Sequence, residues 1–419
     1  MTEYRLTAPA RLTTTVKLPA SKSISNRALI IYALSGCKVL PDNLSDCDDT
    51  EVMIRALSEH PQTIDIGAAG TSMRFMTAFL AATATGEHII TGTERMKHRP
   101  IKILVDALRY LGSHIEYVGN EGFPPLRIAG RHLQGGYLEI DGNVSSQYIS
   151  ALLMIGPVLD KGLVLHLNGE IISRPYIDLT LCTMREFGAE AEWISVDTIE
   201  VKPKPYVPTS YYIENDWSAA SYWYEMVALS KDMDAEVKLE GLMDGSKQGD
   251  SSVRYIFSLL GVKTKFSSRR AGVPTTVTLK KSNHLVPRLE YDFGNSPDLA
   301  QTFVVTCCGL GVPFHFTGLQ TLKIKETDRI AALKAEMAKL GYNLVDANGS
   351  ELSWDGVKTP NTPFNAPTII DTYDDHRMAL AFTPLCLRRP IVIRQPQVVS
   401  KSYPRFWTDL QEAGFKVEG

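Results

Sequence analysis

Residues 21–34 read SKSISNRALIIYAL, a short polar opening that passes into a stretch with no polar stripe. Small polar residues at the front suit a capped helix start, and a helix apolar on every side must be buried. The pattern returns as AGTSMRFMTAFLAA at 69–82, SSQYISALLM at 145–154 and DWSAASYWYEMVAL at 216–229. It returns again as SPDLAQTFVVTC at 296–307 and DDHRMALAFTPL at 374–385. Starts at 21, 69, 145, 216, 296 and 374 are separated by 48, 76, 71, 80 and 78 residues.

A more amphipathic helix follows each copy, beginning at 48, 99, 173, 248, 325 and 403, with separations of 51, 74, 75, 77 and 78. Examples are RPIKILVDALRYLG at 99–112 and KETDRIAALKAEMAKLG at 325–341, which end in glycine as helix C-termini commonly do. Short alternating strands come next: SHIEYV, AEAEWI, VKTKF, YNLVD and FKVEG. Two helix series with one period predict an α/β protein of six β-α-β-α-β-β repeats, grouped as two domains of three. The first repeat is truncated after its second helix, with HPQTIDI at 60–66 where a strand hairpin is expected.

The 419 residues carry 44 Lys and Arg against 47 Asp and Glu, a net charge of −3. That balance argues against a nucleic-acid binder. No apolar run is long enough for a membrane span, and the N-terminus lacks the apolar core of a secretory signal. Six cysteines form no CxxC pair and no Cys/His cluster of zinc spacing, so reduced thiols, a cytoplasmic setting and no metal are expected.

Cations gather at element starts. Lys22 and Arg27 flank the first helix, Arg74 follows Gly70, and Arg99 opens a second helix after RMKH. Lys325 and Arg329 are four apart, hence expected on one helix face; Arg377 follows Asp375 and His376, and Lys401 precedes the last helix. Helix N-termini favour phosphate and carboxylate, so the expected ligand is small and polyanionic. Asp298, at a helix start, and Glu326, beside Lys325, are candidates for general acid or base. Singly, each feature is an ordinary cap or solvated helix; recurrence at equivalent places in a repeat is what singles them out. No GxSxG, Walker loop, HExxH or GxGxxG occurs.

The segments LPASKSISNRA, AGTSMR, RMKHRP, DGNVSSQY, SRPYID, KETDR and DDHRMA, in this order from Leu18 to Pro404, resemble the 5-enolpyruvylshikimate-3-phosphate (EPSP) synthase family of 3-phosphoshikimate 1-carboxyvinyltransferases. The resemblance implies a two-domain inside-out α/β fold with crossovers near residue 20 and near Gln248, hence domains at 1–20 with 248–419 and at 21–247. It implies transfer of the enolpyruvyl group of phosphoenolpyruvate to the 5-hydroxyl of shikimate 3-phosphate with release of phosphate, a step toward chorismate and aromatic amino acids. It implies no cofactor and a monomer.

By the same resemblance Ser23, Arg27, Ser145, Ser146, Ser173, Asp298 and Lys325 contact shikimate 3-phosphate. Lys22, Gly70, Arg99, Gln147, Arg329, Arg377 and Lys401 contact phosphoenolpyruvate. Asp298 and Glu326 are the acid/base carboxylates, with Lys22 assisting. Two positions depart from the family pattern: Ala68 stands for the usual Asn before AGT, and Phe75 for the usual Pro after the Arg. Loss of an amide contact at Ala68 is expected to weaken binding by about 1–2 kcal/mol rather than abolish chemistry. Gly70 in the family leaves room for the herbicide glyphosate. The sibling transferase acting on UDP-N-acetylglucosamine carries a cysteine on the loop before Arg99, and this chain has none between 48 and 181. A non-catalytic anion-binding paralogue is the alternative from another class.

Overall fold

The computed structural model describes residues 2–83, 86–268, 270–359 and 366–419. The chain divides into two compact units, Met1–Pro19 with Glu214–Gly419, and Ala20–Ile213.

The discontinuous unit opens with β1 (Glu3–Thr7) and β2 (Thr13–Lys17). The inserted unit holds α1 (Lys22–Ser35), α2 (Asp48–Glu59), β3 (Thr63–Asp65), α3 (Gly70–Ala82), β4 (Glu87–Thr91), α4 (Lys102–Tyr110), β5 (His114–Tyr117) and β6 (Leu126–Ala129). It continues with β7 (Gly136–Asp141), α5 (Ser146–Ile155), β8 (Leu163–Asn168), α6 (Arg174–Glu186), β9 (Ala191–Trp193) and β10 (Thr198–Val201). The first unit resumes with α7 (Trp217–Leu229), β11 (Glu236–Met243), α8 (Val253–Ser258), β12 (Leu260–Phe266), β13 (Pro274–Leu285), β14 (Leu289–Asp292), α9 (Ala300–Leu310) and β15 (Phe314–Thr317). It ends with α10 (Arg329–Lys339), β16 (Val345–Ala347), β17 (Glu351–Trp354), β18 (Thr368–Ile370), α11 (His376–Phe382), β19 (Ile391–Arg394), α12 (Phe406–Glu412) and β20 (Lys416–Glu418).

These strands form five four-stranded sheets: β3-β4-β6-β5, β7-β8-β10-β9, β2-β11-β13-β12, β14-β15-β17-β16 and β18-β19-β1-β20. In each, the first two strands are parallel and the other two antiparallel, as in β14 with β15 and β15 with β17. The parallel pair needs a crossover, and the first helix of the repeat supplies it.

That helix is the buried one. Twelve of the 13 residues of α7, nine of the 11 of α9 and all seven of α11 are buried. In the other unit, 12 of the 13 residues of α3 are buried. The second helices bury one face only; α10 buries six of its 11 residues. Each unit is therefore an inside-out α/β fold, helices within and sheets outside, around its own apolar cluster. Ser21, Ser145, Asp216 and Asp375 cap four of the buried helices through their side chains. Among the described residues no helix is long and apolar enough to cross a membrane.

Two expectations are corrected. The second crossover lies at Ile213/Glu214, not near Gln248. β11 pairs in parallel with β2 (Leu239 opposite Val16), which binds α7 and β11 to the discontinuous unit. Gln248 stays inside that unit, donating to the Glu214 carboxylate and the Asn215 carbonyl, both at 2.8 Å. Residues 60–66 do not replace a missing hairpin. They contain β3, the first strand of the next sheet, parallel to β4 (Ile64 opposite Ile90). The truncated repeat keeps α1 and α2, and its sheet shrinks to one parallel bridge, Asp42 to Tyr212.

The N-terminal segment completes two sheets: β2 opens one, and β1 fills the third position of another, between β19 and β20. The cut ends adjoin, since the Asp216 N–H donates to the Pro19 carbonyl at 2.9 Å. Residues 1–19 joined to 214–419 by a short Gly-Ser linker are expected to fold alone. Circular dichroism with one cooperative thermal transition checks this; a chain lacking that transition would refute it.

Candidate active site

In the discontinuous unit, the starts of the buried helices carry a dense charge cluster. Asp298 sits in the helical turn Pro297–Leu299 that leads into α9. Its Oδ2 accepts from Arg377 Nη2 at 2.8 Å and its Oδ1 from Arg329 Nη1 at 3.1 Å. Lys325 Nζ is 3.5 Å from the same Oδ1. Arg329, with 2% side-chain exposure, is also held by Asp375 through Nε at 2.7 Å and Nη2 at 3.3 Å. Its Nη2 donates to Glu326 at 2.9 Å, and Lys401 Nζ lies 3.7 Å from Glu326. The Arg377 backbone N–H is capped by Asp375 Oδ1 at 2.9 Å.

Removal from water alone would push the Asp298 carboxyl up; Arg377, Lys325 and Arg329 outweigh that and hold it far below the usual carboxylate range. Burial likewise opposes the charge on Arg329, yet Asp375, Glu326 and Asp298 raise its pKa. Lys325 is not on the helix face with Arg329. The helix begins at Arg329, capped by Asp328, and Lys325 precedes it in extended backbone. Both cations nonetheless reach Asp298 Oδ1.

In the inserted unit, Lys22 opens α1 and lies 3.5 Å from Asp49 of α2. Arg27 is buried, and its Nε donates to Thr180 at 2.7 Å. Its other donors reach the Ser23 carbonyl, Ser150 and the Tyr176 carbonyl, and its guanidinium stacks 5.4 Å over the Phe75 ring. Burial lowers its pKa to about 10. The Phe75 departure thus fills the core beneath Arg27, while Ala68 is exposed in the turn before α3.

Gly70, the first residue of α3, lies against Arg99. A Cβ added at Gly70 would stand 2.5 Å from Arg99 Nη1, so the space beside Gly70 holds a guanidinium. Arg74, counted among the cations, is a fastener: it donates to the Gly70 carbonyl at 2.9 Å and the Pro100 carbonyl at 3.2 Å. Gln147 Nε2 donates to Thr71 at 3.0 Å and joins the starts of α5 and α3. Ser145 caps α5 and accepts from the Gln147 N–H at 3.4 Å, with Ser146 beside it, half-buried. Ser173, at the start of α6, is buried in left-handed backbone (φ 54°) and makes no capping bond through its side chain. A non-glycine residue held in that region costs about 1–3 kcal/mol and is common at ligand sites.

The EPSP synthase family model, described as 3-phosphoshikimate 1-carboxyvinyltransferase, matches residues 6–61 and 57–410. This chain belongs to the EPSP synthase family. A 3-phosphoshikimate 1-carboxyvinyltransferase of Bacteroides fragilis is 59% identical over 416 residues, covering 99% of this chain and 98% of that protein. One from Pseudoalteromonas atlantica is 33% identical, covering 95% of each. The solved EPSP synthase of Acinetobacter baumannii has the same fold, with a TM-score of 0.78, 20% identity and full coverage of both chains.

Sequence reasoning passed over Asp375, which ties Arg329 to the start of α11, and Asp250 of the turn Gly249–Ser252. Asp375 was visible only as a helix cap in DDHR. Asp250 gave no signal, because the Ser218 hydroxyl that donates to it comes from another helix. Among the described residues no group of three or more His, Cys, Asp or Glu is placed to hold a metal ion.

Two outcomes are expected of this EPSP synthase family member. Gly70→Ala displaces the flexible end of Arg99, so the fold survives and KM for phosphoenolpyruvate rises; steady-state kinetics check this. Burial raises the Asp250 carboxyl to about 6, with Asp298 adding to the shift and Arg377 opposing it. A raised carboxyl binds its proton more tightly when folded, so stability falls as pH rises from about 4 to 6. Asp250→Asn is therefore expected to be neutral at pH 4 and stabilising at pH 7.5, by at most about 3 kcal/mol. Chemical denaturation at both pH values measures it.

Proposed function

We propose residue roles for the reaction this family member carries out, enolpyruvyl transfer from phosphoenolpyruvate to the 5-hydroxyl of shikimate 3-phosphate with release of phosphate. The observation that carries the proposal is the Asp298 carboxylate gripped by Arg377, Arg329 and Lys325. Such a group is ionised at neutral pH and is a proton acceptor, but a weak one while three cations hold it. An anionic substrate that draws Arg377 and Arg329 to its own oxygens relieves that grip and raises the basicity of Asp298 when the substrate is present.

Asp298 then takes the proton of the 5-hydroxyl as its oxygen bonds to C2 of phosphoenolpyruvate, and the acid form of Glu326, assisted by Lys22, gives a proton to the methylene carbon. In the second step the Glu326 carboxylate takes back a proton from the new methyl group, the double bond reforms, and the C2–O bond to phosphate breaks as phosphate leaves. Glu326, placed between Arg329 and Lys401, is the second carboxylate, and Lys22 assists. Arg99, Arg329, Arg377, Lys401 and Gln147 bind phosphoenolpyruvate, arginine forks suiting its phosphate and carboxylate. Ser23, Arg27, Ser145, Ser146, Ser173 and Lys325 serve shikimate 3-phosphate. Arg27 spends most of its donors internally, so its part is largely to shape that pocket. The six cysteines are free thiols, which supports a cytoplasmic setting, and we propose a monomer as the working unit.

Phosphate release from phosphoenolpyruvate is expected with shikimate 3-phosphate and absent with UDP-N-acetylglucosamine. Asp298→Ala is expected to lower kcat by about 10²–10⁴-fold. No release while shikimate 3-phosphate still binds by calorimetry would replace this reading with that of an anion-binding paralogue.

A further inference from the structure

α11 begins after a constrained loop. Tyr373 and Asp374 both lie in left-handed backbone, each with φ of 55°, although neither is glycine. Side chains with a Cβ disfavour that region, so something must hold the loop. The holder is Glu336, fully buried on α10 seven residues after Arg329, about two turns along the same face. Its Oε2 accepts from the Asp371 backbone N–H at 3.1 Å and from Lys339 at 2.6 Å. Its Oε1 accepts from the Tyr373 hydroxyl at 2.6 Å. Lys339 also binds Asp371 at 2.8 Å, and the Asp375 N–H donates to the Thr372 carbonyl at 2.9 Å.

One carboxylate thus holds the backbone leading into the strained pair, at Asp371, and the first member of that pair, at the Tyr373 hydroxyl. Immediately after the turn, Asp375 grips Arg329, caps the Arg377 N–H and is fully buried. Arg329 and Glu336 belong to one rigid helix, so that helix holds the loop at two places: Glu336 from below, and Arg329 through Asp375.

We propose that Glu336 and Tyr373 are positioning residues for the transfer reaction, a clamp that sets Asp375 and through it the guanidinium groups of Arg329 and Arg377 around Asp298. The proposal rests on the residue roles assigned above. Neither Glu336 nor Tyr373 touches a reacting atom. Their effect passes through Asp375, so it falls on phosphoenolpyruvate, the substrate assigned to both arginines.

The test uses Glu336→Ala, Tyr373→Phe and Glu336→Gln in the full chain, with two readouts. In steady-state kinetics, the first two variants are expected to raise KM for phosphoenolpyruvate and lower kcat, each by about tenfold, since a misplacement of about 1 Å can cost about a hundredfold. KM for shikimate 3-phosphate is expected to stay within about threefold on the same reasoning. Gln keeps an acceptor for the Asp371 N–H and a partner for Tyr373, so Glu336→Gln is expected to restore most of the loss. A purely structural role would lower the melting temperature and the active fraction and leave both KM values alone, and that pattern overturns the proposal.

The second readout needs no turnover. The guanidinium Nε–H of Arg329, bonded to Asp375, gives a slowly exchanging proton resonance in arginine-labelled protein, assigned by its loss in Arg329→Lys. Its exchange is expected to quicken in Glu336→Ala and Tyr373→Phe; unchanged exchange in both refutes the clamp. Should Glu336→Ala fail to fold, Tyr373→Phe, which removes one hydroxyl, carries both readouts. Should the unmodified protein release no phosphate, the assigned reaction falls, while the Arg329 resonance still decides the clamp.

Discussion

A helix that is apolar all round can present polar groups only at its ends. α7, α9 and α11 are buried along nearly their whole length, and so is α3 in the other unit. Their flanks are spent on packing, and the unpaired N–H groups of the first turn are what remains for polar partners. The inside-out arrangement therefore concentrates chemistry at helix starts. Asp298, Asp375 and Arg377 stand at such starts in one unit, and Lys22, Gly70, Ser145 and Gln147 in the other. The four-stranded sheets cover the outer side of these helices.

Charges placed there must be paired before any ligand arrives, because an isolated buried ion is unaffordable. The discontinuous unit solves this with a shared network. Arg329 serves Asp298, Glu326 and Asp375 at once, and Asp298 in turn is shared by Arg329, Arg377 and Lys325. Removing one partner from such a network costs about 3–5 kcal/mol, more than a surface pair is worth. Arg329 and Asp375 are sealed by burial, while Lys325 and Asp298 are less buried.

The repeat was legible because its signal is local. Helix caps and the small apolar stretch of each first helix lie within one segment, and the glycines closing second helices, such as Gly112, Gly188 and Gly341, have the positive φ that such stops require. The KETDR and DDHR segments pointed to Arg329 and Arg377 for the same reason. What escaped depends on pairing across long stretches of chain. β1 and β2 complete sheets whose other strands come more than 200 residues later, so no window of sequence could place the crossover at Ile213/Glu214. HPQTIDI reads as a remnant in isolation, and only its parallel partner β4 shows it to be the first strand of a full sheet. Lys325 and Arg329 have helical spacing, yet Asp328 caps the helix between them and wins because its side chain accepts from the Ala331 N–H at 3.0 Å.

In the proposed reaction Asp298 is the base, and the charge count of the network bears on why a weak base should stand at its centre. Asp298, Glu326 and Asp375 carry three negative charges, and Lys325, Arg329, Arg377 and Lys401 carry four positive ones. Without ligand, the excess is small and Asp298 absorbs most of the field, which keeps its carboxyl deprotonated. A multiply charged anion reverses the excess, and the cheapest oxygens to give up their cations are those of Asp298, since Asp375 is sealed behind Arg329 at full burial. Under the proposed roles, the carboxylate that loses its cations is thus selected by burial, and it becomes more basic only when the anion has arrived. A base that was strong in the empty protein would be protonated or solvated beforehand; on the proposed roles, one restrained by the cations assigned to the substrates is released by binding itself.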